Sequence, residues 1–264
     1  MKAPRKYKVQ IAYDGTGYSG WQYQTNAVGI QQVVEEVLTR LDGAAVRVYG
    51  SSRTDAGVHA KGFMAHFHLV RAIPPKNLVR AMNAQLPMAV RVLKAAYAAE
   101  SFDARLSAVG KEYRYQLYAD GILPPHLAPY WAFTHREMDV EAMREAASYF
   151  VGKHDFVSFA ANPDRELATT ERTIFSFDVE KKGPRIVFVV RGDGFLYKQV
   201  RSMVGFLIAV GRGHEKPEAV AELLEAKAPR TARVETAVAR GLFLWKVFYK
   251  KEQIEKLIRK SNRK

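Results

Sequence analysis

The sequence predicts an α+β protein of two units, in which strands and helices alternate along the chain. Short runs of alternating apolar and polar residues, such as residues 7–13, are typical of half-buried strands. Longer segments carry apolar residues at the three- and four-residue spacing of an amphipathic helix, as residues 30–41 do. With 264 residues the chain is long enough for one large or two ordinary domains.

The first hundred residues follow the order strand, helix, strand, loop, strand, helix, strand. The Asp42–Gly43 pair ends the first helix. The second helix begins at Pro75, because proline suits a first helical turn, and Pro87 stops it. The predicted elements are a strand at 7–13, a helix at 30–41, strands at 46–49 and 63–69, a helix at 75–86 and a strand at 90–98. This order predicts a mixed-sheet unit with helices on one face.

The segment Ser101–Arg105 predicts a hinge to a second unit. We expect an N-terminal domain at 1–104, a C-terminal domain at 105–249 and a basic tail at 250–264 that forms a helix or a disordered arm. The predicted strands of the second unit lie at 111–117, 173–181, 185–191 and 242–249, and its helices at 139–151, 200–208 and 218–227. Asp139 is a good helix-capping residue type, which supports the first of these helices.

The charge balance favours a polyanionic partner. The chain has 41 Lys and Arg residues against 27 Asp and Glu residues, a net charge of +14 and a pI near 9.8. Backbone phosphates attract such a surface regardless of base sequence. The alternative is a basic surface that serves only solubility. If nucleic acid binds, we expect Lys198, Arg165 and Lys61 among the residues that contact it.

The sequence contains no cysteine, which excludes disulfides, zinc–thiolate sites, iron–sulfur clusters and cysteine nucleophiles. The charged N-terminus is not followed by an apolar signal-peptide core, and no apolar run is long enough to span a bilayer. We therefore expect a cytoplasmic protein.

The polar loop at 50–60 is the strongest candidate for chemistry, because it places an arginine, an aspartate and a histidine between two predicted strands. In extended backbone Arg53 and Asp55 would point the same way, and a guanidinium beside a carboxylate favours its ionised form. The structural alternative is ordinary turn chemistry, in which Asp55 bonds its own backbone and Gly57 supplies a positive φ.

A second glycine-rich segment allows a dinucleotide-binding hypothesis. Gly15, Gly17 and Gly20 form a G-x-G-x-x-G pattern directly after the first strand. A pyrophosphate site of this type needs a helix to begin within the motif. The helical pattern here starts only near Val28, so the sequence argues against a dinucleotide-dependent oxidoreductase.

Two histidines, His66 and His68, share one face of a predicted strand. A protein metal site needs further ligands, and no third ligand stands near them in the sequence. We predict no metal site.

Four motifs, in order, resemble those of one known family. Residues 51–60, Ser-Ser-Arg-Thr-Asp-Ala-Gly-Val-His-Ala, resemble the signature of the TruA family, the tRNA pseudouridine synthases A. The first motif of that family is similar to Tyr13–Thr16 with Gly20–Gln22. Its second, K-x-Y-x-Y, is similar to residues 111–115, and its third is similar to residues 194–205.

The resemblance implies two mixed-sheet α/β domains of the pseudouridine synthase fold, facing each other across a basic cleft, and a homodimer. It implies isomerisation of uridine to pseudouridine at the thirty-eighth to fortieth nucleotides of tRNA, in the anticodon stem-loop, with no cofactor and no metal. The non-catalytic alternative is an RNA-binding protein in which Asp55 is only a turn residue.

The resemblance also implies roles for four residues. Asp55 is the catalytic aspartate, and Arg201 pairs with it. Arg53 contacts the phosphate of the target or occupies the position that the flipped nucleotide leaves. Tyr113 stacks on the uracil, which must leave the helical stack to be reached. Tyr115, two residues further on, we expect in the core.

Overall fold

The structure, a computed structural model, describes residues 4–161 and 169–261, with side chains to residue 258. It confirms the predicted α+β class. The strands are β1 (Arg5–Tyr13), β2 (Tyr49–Gly50), β3 (His59–Leu69), β4 (Val90–Tyr97), β5 (Gly110–Ala119), β6 (Ala132–Thr134), β7 (Gly152–Asp155), β8 (Glu171–Lys182), β9 (Arg185–Gly192) and β10 (Leu242–Phe248). The helices are α1 (Ile30–Asp42), α2 (Pro75–Gln85), α3 (Val140–Tyr149), α4 (Gln199–Gly211), α5 (Ala219–Ala226) and α6 (Lys251–Ser261).

The chain divides into two compact units. The first comprises Met1–Val109 and Phe243–Tyr249, and the second comprises Gly110–Leu242 and Lys250–Lys264. The sequence-based boundary at 104/105 lies close to this division. The strand β10, however, belongs almost entirely to the first unit, because it pairs in parallel with β3. In the tail, Lys251–Ser261 form the helix α6, one of the two possibilities that the composition left open.

The sheet of the first unit has the strand order β4-β1-β3-β10, with β2 paired to β3. β1 is antiparallel to both β3 and β4. On its buried face Tyr7 lies opposite Phe67 and Ile11 opposite Phe63, and all four side chains are inaccessible to solvent. Fully burying a large apolar side chain contributes about 1.5–3 kcal/mol, so this face is a principal source of the unit's stability.

The turn after α1 confirms the predicted helix end. Gly43 is left-handed, with a φ of 79°, and its amide donates to the carbonyl of Thr39. The buried carboxylate of Asp42 accepts from the amides of Val70 (3.0 Å) and Arg71 (2.7 Å), beyond the end of β3. The same pair of residues therefore ends α1 and fixes the next connection.

The predicted strand at 46–49 is only partly confirmed, because β2 begins at Tyr49. Polar side chains of α1 hydrogen-bond the amides ahead of it: Val46 donates to Thr39 Oγ1 and Val48 to Glu35 Oε1. The segment 46–48 is held by the helix instead of by a neighbouring strand.

The sheet of the second unit has the order β5-β9-β8-β7, with β6 paired in parallel to β5. The strands predicted at 173–181 and 185–191 correspond to β8 and β9, which form an antiparallel hairpin. Asp139 caps α3 as expected, since its Oδ1 accepts from the amide of Ala142 at 3.0 Å. Within the described residues no helix is both long and apolar enough to cross a membrane.

A buried ion network joins three strands of the second unit. Arg191 donates from Nε to Glu112 (2.8 Å) and from Nη1 to Asp178 (2.8 Å) and Ser176 (3.0 Å). Arg114 binds the other oxygen of Glu112 at 2.8 Å. Glu112 is only 2% exposed, so the removal of its charge would leave Arg191 with a poorly compensated buried cation.

Candidate active site

The loop between β2 and β3 is anchored at both ends by hydrogen bonds. The Ser51 amide donates to the Met64 carbonyl (2.8 Å), and the Ser51 hydroxyl accepts from the Met64 amide (3.2 Å). Further along, the buried hydroxyls of Thr54 and Tyr13 lie 2.8 Å apart, and the Thr54 carbonyl accepts from the Trp21 amide at 3.1 Å. The backbone on either side of Arg53 is therefore fixed.

Asp55 stands at the first position of a tight turn. The amide of Val58 donates to the Asp55 carbonyl at 3.1 Å, and Gly57 adopts a φ of 73°. A left-handed residue at that point is what a type II turn requires, which explains the glycine. The Asp55 side chain is half-buried, and Arg53 is exposed. The predicted positive φ of Gly57 is thus present, and the turn fixes the backbone that carries the Asp55 carboxylate.

The backbone of the glycine-rich segment at 14–22 packs directly against this loop. A β-carbon at Gly15 would lie 2.1 Å from the Val58 carbonyl oxygen, and one at Gly20 would lie 2.3 Å from that of Thr54. Both glycines are needed because the two backbones touch. α1 begins only at Ile30, so the dinucleotide hypothesis fails on the criterion that a helix must start within the motif.

His59 links the loop to the same segment. Its ring is fully buried and stacks on Phe243 of β10 at a centroid distance of 4.6 Å. Its Nδ1 lies 3.0 Å from the Gly15 amide nitrogen and 3.1 Å from Asp14 Oδ1. His59, which lies in the same motif as Asp55, therefore packs in the core next to the loop.

Three aromatic rings complete the support. Trp21 stacks on Phe63 at 3.9 Å, and Tyr13 contacts both rings at 6.4 and 5.7 Å. Since the Tyr13 hydroxyl also pairs with Thr54, this cluster connects the core of the first unit directly to the loop. The sequence signal for it was the motif Tyr13–Gln22, whose spacing alone did not reveal the contacts.

The strand β5 carries the predicted site residue Tyr113 and, two residues further on, the predicted core residue Tyr115. Tyr113 is 7% exposed and meets the ring of Phe195 edge-on at 5.2 Å. Tyr115 is 1% exposed and donates from its hydroxyl to the Val238 carbonyl at 3.0 Å, which confirms the expected core position. Burial raises the pKa of the Tyr115 hydroxyl above its ordinary value, and the Arg201 guanidinium opposes that rise.

Arg201 lies in the first turn of α4 and is half-buried. Its Nε donates to the Ala237 carbonyl at 2.8 Å, and its own carbonyl accepts from the Ala237 amide at 3.0 Å. Gly205, one turn later, allows the segment 235–237 to approach the backbone of α4, since a β-carbon there would lie 2.1 Å from the Glu235 carbonyl oxygen. The segment 235–237 thereby fixes the guanidinium.

The three expected RNA-contact residues occupy different places. Lys61 is exposed on β3, with its Nζ 4.3 Å from the centroid of the Trp245 ring. Lys198 precedes α4 and adopts a φ of 58°. Arg165 lies outside the described residues.

His66 and His68 have protein partners in the first unit. His66 is buried, accepts from the Ala104 amide at 3.0 Å and stacks on Tyr49 at 5.1 Å. His68 contacts Glu100 at 3.1 Å. Among residues 4–161 and 169–261, no group of three or more His, Asp or Glu side chains is arranged to hold a metal ion.

The structure thus places Arg53 and Asp55 in one loop of the first unit, and Tyr113 on β5 and Arg201 on α4 in the second. The supporting contacts of Thr54, Gly15 and His59 were not predicted from the sequence. They depend on chain segments that lie about forty residues apart.

Comparison with known proteins relates this arrangement to one family. A family model described as tRNA pseudouridine synthase matches residues 10–105 and 146–250. A tRNA pseudouridine synthase A 2 of Clostridium perfringens is 41% identical over 245 residues, which are 93% of this chain and 100% of that protein. A tRNA pseudouridine synthase A of Chlamydia trachomatis is 41% identical over 251 residues, which are 93% of this chain and 92% of that protein.

Among solved structures, the archaeal box H/ACA sRNP Nop10–Cbf5 complex aligns with a TM-score of 0.34 at 15% identity. The alignment covers 77% of this chain and 44% of the other.

Proposed function

Because the chain belongs to the tRNA pseudouridine synthase family, we propose that it isomerises uridine to pseudouridine in tRNA, with Asp55 as its catalytic aspartate. The observation that carries the proposal is the fixed turn at Asp55. A half-buried carboxylate stands there on a loop that is hydrogen-bonded on both sides and packed on two glycines. Such a loop holds the backbone of Asp55 in one conformation, which favours the positioning that catalysis requires of its carboxylate.

The reaction conserves all atoms of the nucleotide. The N1–C1′ glycosidic bond breaks, the uracil rotates, and a C5–C1′ bond forms. The proton on C5 leaves to solvent and N1 gains a proton. One carboxylate is sufficient to assist, by adding to C6 or C1′ or by removing a proton from the sugar. Asp55 is the group that we assign to this step.

Three further residues receive roles through the family resemblance. We assign to Arg201 the task of pairing with the catalytic aspartate, a task that suits a guanidinium fixed by the Ala237 carbonyl. Tyr113 supplies a ring for the flipped uracil, and the edge-on contact with Phe195 supports that ring from the side. Arg53, exposed two residues before Asp55, is available to a phosphate or to the position that the base vacates.

The proposed substrate site is the anticodon stem-loop, at the thirty-eighth to fortieth nucleotides. The net charge of +14 favours binding of a folded polyanion. The candidate basic contacts are Lys61, which is exposed in the first unit, and Lys198, which is half-buried in the second. Arg165 remains a candidate from the sequence. We further propose a homodimer and a cytoplasmic location.

Release of tritium from tRNA labelled at C5 of uridine tests the function. Formation of the C5–C1′ bond removes the C5 hydrogen, so turnover appears as tritium in water. We expect release at about three sites or fewer per tRNA molecule, with no added cofactor. Binding of tRNA without any release would indicate the non-catalytic RNA-binding protein instead.

A further inference from the structure

We propose that a pocket of the second unit, formed around Lys198 and Arg230, binds a single backbone phosphate of the tRNA. This inference rests on the proposed function for the identity of the polyanion, but the pocket itself is defined by observations independent of Asp55. It assigns Arg230, which no family motif above includes, to substrate binding.

The pocket lies beside the start of α4 and has a volume of about 270 Å³. Its wall is made by Ala160, Ala161, Lys198, Arg230 and Thr236. Sites for complete small-molecule ligands usually occupy about 300–1,000 Å³ and are mainly apolar. A smaller pocket with two cations and a hydroxyl fits a charged group of a larger ligand better than it fits a free metabolite.

Arg230 is a half-buried cation held by neutral groups. Its Nη1 donates to the Thr236 hydroxyl at 2.7 Å and to the Ser202 hydroxyl at 3.0 Å. Ser202 is fully buried, so the guanidinium is tied to the body of α4. Among the described residues, no carboxylate lies within ion-pair distance of Arg230. Its charge is thus compensated neither by the two hydroxyls nor by a described acid.

Two other arginines of the same unit show the contrast. Arg191 is buried with two carboxylates, Glu112 and Asp178. Arg233, three residues after Arg230, pairs in a fork with Glu215 at 3.0 and 2.7 Å. In both of these cases the fixed guanidinium is accompanied by carboxylates. The absence of such an acid from the described surroundings of Arg230 marks a site prepared for an external anion.

The chemistry of the remaining donors matches a phosphate. A guanidinium carries five N–H groups in a planar fork, and two of them serve the hydroxyls of Ser202 and Thr236. Three remain, which suffices for a two-point contact with phosphate oxygens. The Thr236 hydroxyl accepts from Arg230 and so keeps its own proton as a further donor.

Lys198 supplies the second charge in an unusual conformation. Its φ of 58° lies in the left-handed region, which costs a non-glycine residue about 1 kcal/mol or more. Its Nζ lies 5.0 Å from the centroid of the Tyr197 ring, and the Tyr197 carbonyl accepts from the amide of Ala161, which is part of the pocket wall. The strained backbone and the ring together hold the ammonium group beside the pocket.

The test combines a neutral replacement for one RNA phosphate with a neutral replacement for one basic side chain. An anticodon stem-loop RNA is made as a series in which one methylphosphonate linkage at a time replaces a phosphate. Binding of each RNA is measured with the unaltered protein, Arg230→Gln and Lys198→Gln, together with Arg233→Gln as a control. The control removes the same charge three residues away, where Glu215 already compensates it.

We expect Arg230→Gln to weaken binding of the all-phosphate RNA about tenfold and to reduce the log–log salt slope by about 0.7–0.9, while Arg233→Gln changes the slope little. At one linkage, or two adjacent ones, the methylphosphonate should weaken binding by the unaltered protein but not by Arg230→Gln. Lys198→Gln should show the same linkage and provides the answer if Arg230→Gln does not fold.

Additive losses at every linkage, for both pocket variants, would overturn the inference, and so would an equal loss of slope in Arg233→Gln. Tritium release distinguishes this failure from failure of the proposed function. If the unaltered protein releases tritium and the losses are additive, only the phosphate pocket is wrong; if it releases none, the proposed function is wrong.

Discussion

Gly15→Ala is the substitution that tests most sharply how the loop at Asp55 is positioned. The new β-carbon would lie 2.1 Å from the Val58 carbonyl oxygen and 2.7 Å from its carbonyl carbon, both backbone atoms. Ordinary contacts of this kind begin near 3.4 Å, so the two segments must separate by about 1.3 Å. Val58 also closes the turn that starts at Asp55, and the displacement therefore reaches the carboxylate.

The expected loss follows from that distance. Misplacement of a reacting group by about 1 Å can cost about 100-fold in rate, so kcat of Gly15→Ala should fall at least about 100-fold. Overpacking of this kind typically costs about 1–3 kcal/mol of stability, which leaves an ordinary domain folded. Affinity for tRNA should change little, because the substituted atom faces the protein's own backbone.

Gly17→Ala provides the matched control. No heavy atom lies within 4 Å of a β-carbon at Gly17, but its φ of 79° is left-handed. Alanine there should cost about 1–2 kcal/mol of stability and leave kcat within a fewfold of the original.

Single-turnover tritium release and tRNA binding, measured for both variants below their melting temperatures, give the comparison. Equal kcat values for Gly15→Ala and the unaltered protein would refute the claim that this glycine positions the catalytic loop. An equal loss in both variants would refute the steric explanation.

Three further predictions concern the core and the charges. Tyr115→Phe should lower the unfolding free energy by about 1 kcal/mol through the lost hydrogen bond to the Val238 carbonyl, without changing the catalytic rate. Tyr113→Phe should bind tRNA normally and turn over more slowly. Thermal melts and turnover measurements on both variants test this contrast. Burial lowers the pKa of His66 despite the opposing effect of Asp103, so on acidification the unfolded state takes up this proton first and the unfolding free energy should fall below about pH 6.5. Urea midpoints between about pH 5 and pH 8 should show this decrease, and an equally large decrease in His66→Gln would contradict the assignment to His66. Glu112→Gln should cost about 3 kcal/mol because Arg191 loses one of its two carboxylates, and a loss below about 1 kcal/mol in urea melts would show that Asp178 suffices.

Elements with strong local signals could be predicted from the sequence. The helix α1 follows its apolar stripe and ends at Gly43, and α3 begins after the cap at Asp139. The hairpin β8–β9 follows two alternating runs joined by a short turn. In each case neighbouring residues carry the information, because capping, periodicity and turn formation act within a few positions.

The partner of β10 could not be predicted, because it is set by a contact over a long sequence distance. Sequence order assigned this strand to the second domain, whereas Phe243 pairs with His59 in parallel. An apolar strand carries little information about which edge it joins. The strands β6 and β7 were not predicted because they are short: β6 has three residues and follows a proline-rich segment, and β7 has four.

The candidate site divides in the same way. Asp55 and Arg53 were identified through a motif, and the turn at Gly57 followed from residue type. The contacts that support the loop could not be predicted from the sequence, because those of Gly15 with Val58 and of Tyr13 with Thr54 join segments about forty residues apart. The pocket at Arg230 likewise combines chain segments with no shared sequence pattern.

Whether Asp55 performs the isomerisation can be measured directly. Unmodified tRNA is incubated with the unaltered protein or with Asp55→Asn, and pseudouridine is mapped by carbodiimide modification and primer extension. The amide keeps the size of the side chain and removes its charge, so tRNA affinity, measured in parallel, should stay within a fewfold. We expect new primer-extension stops in the anticodon arm with the unaltered protein and none with Asp55→Asn. Full modification by the asparagine variant would contradict it.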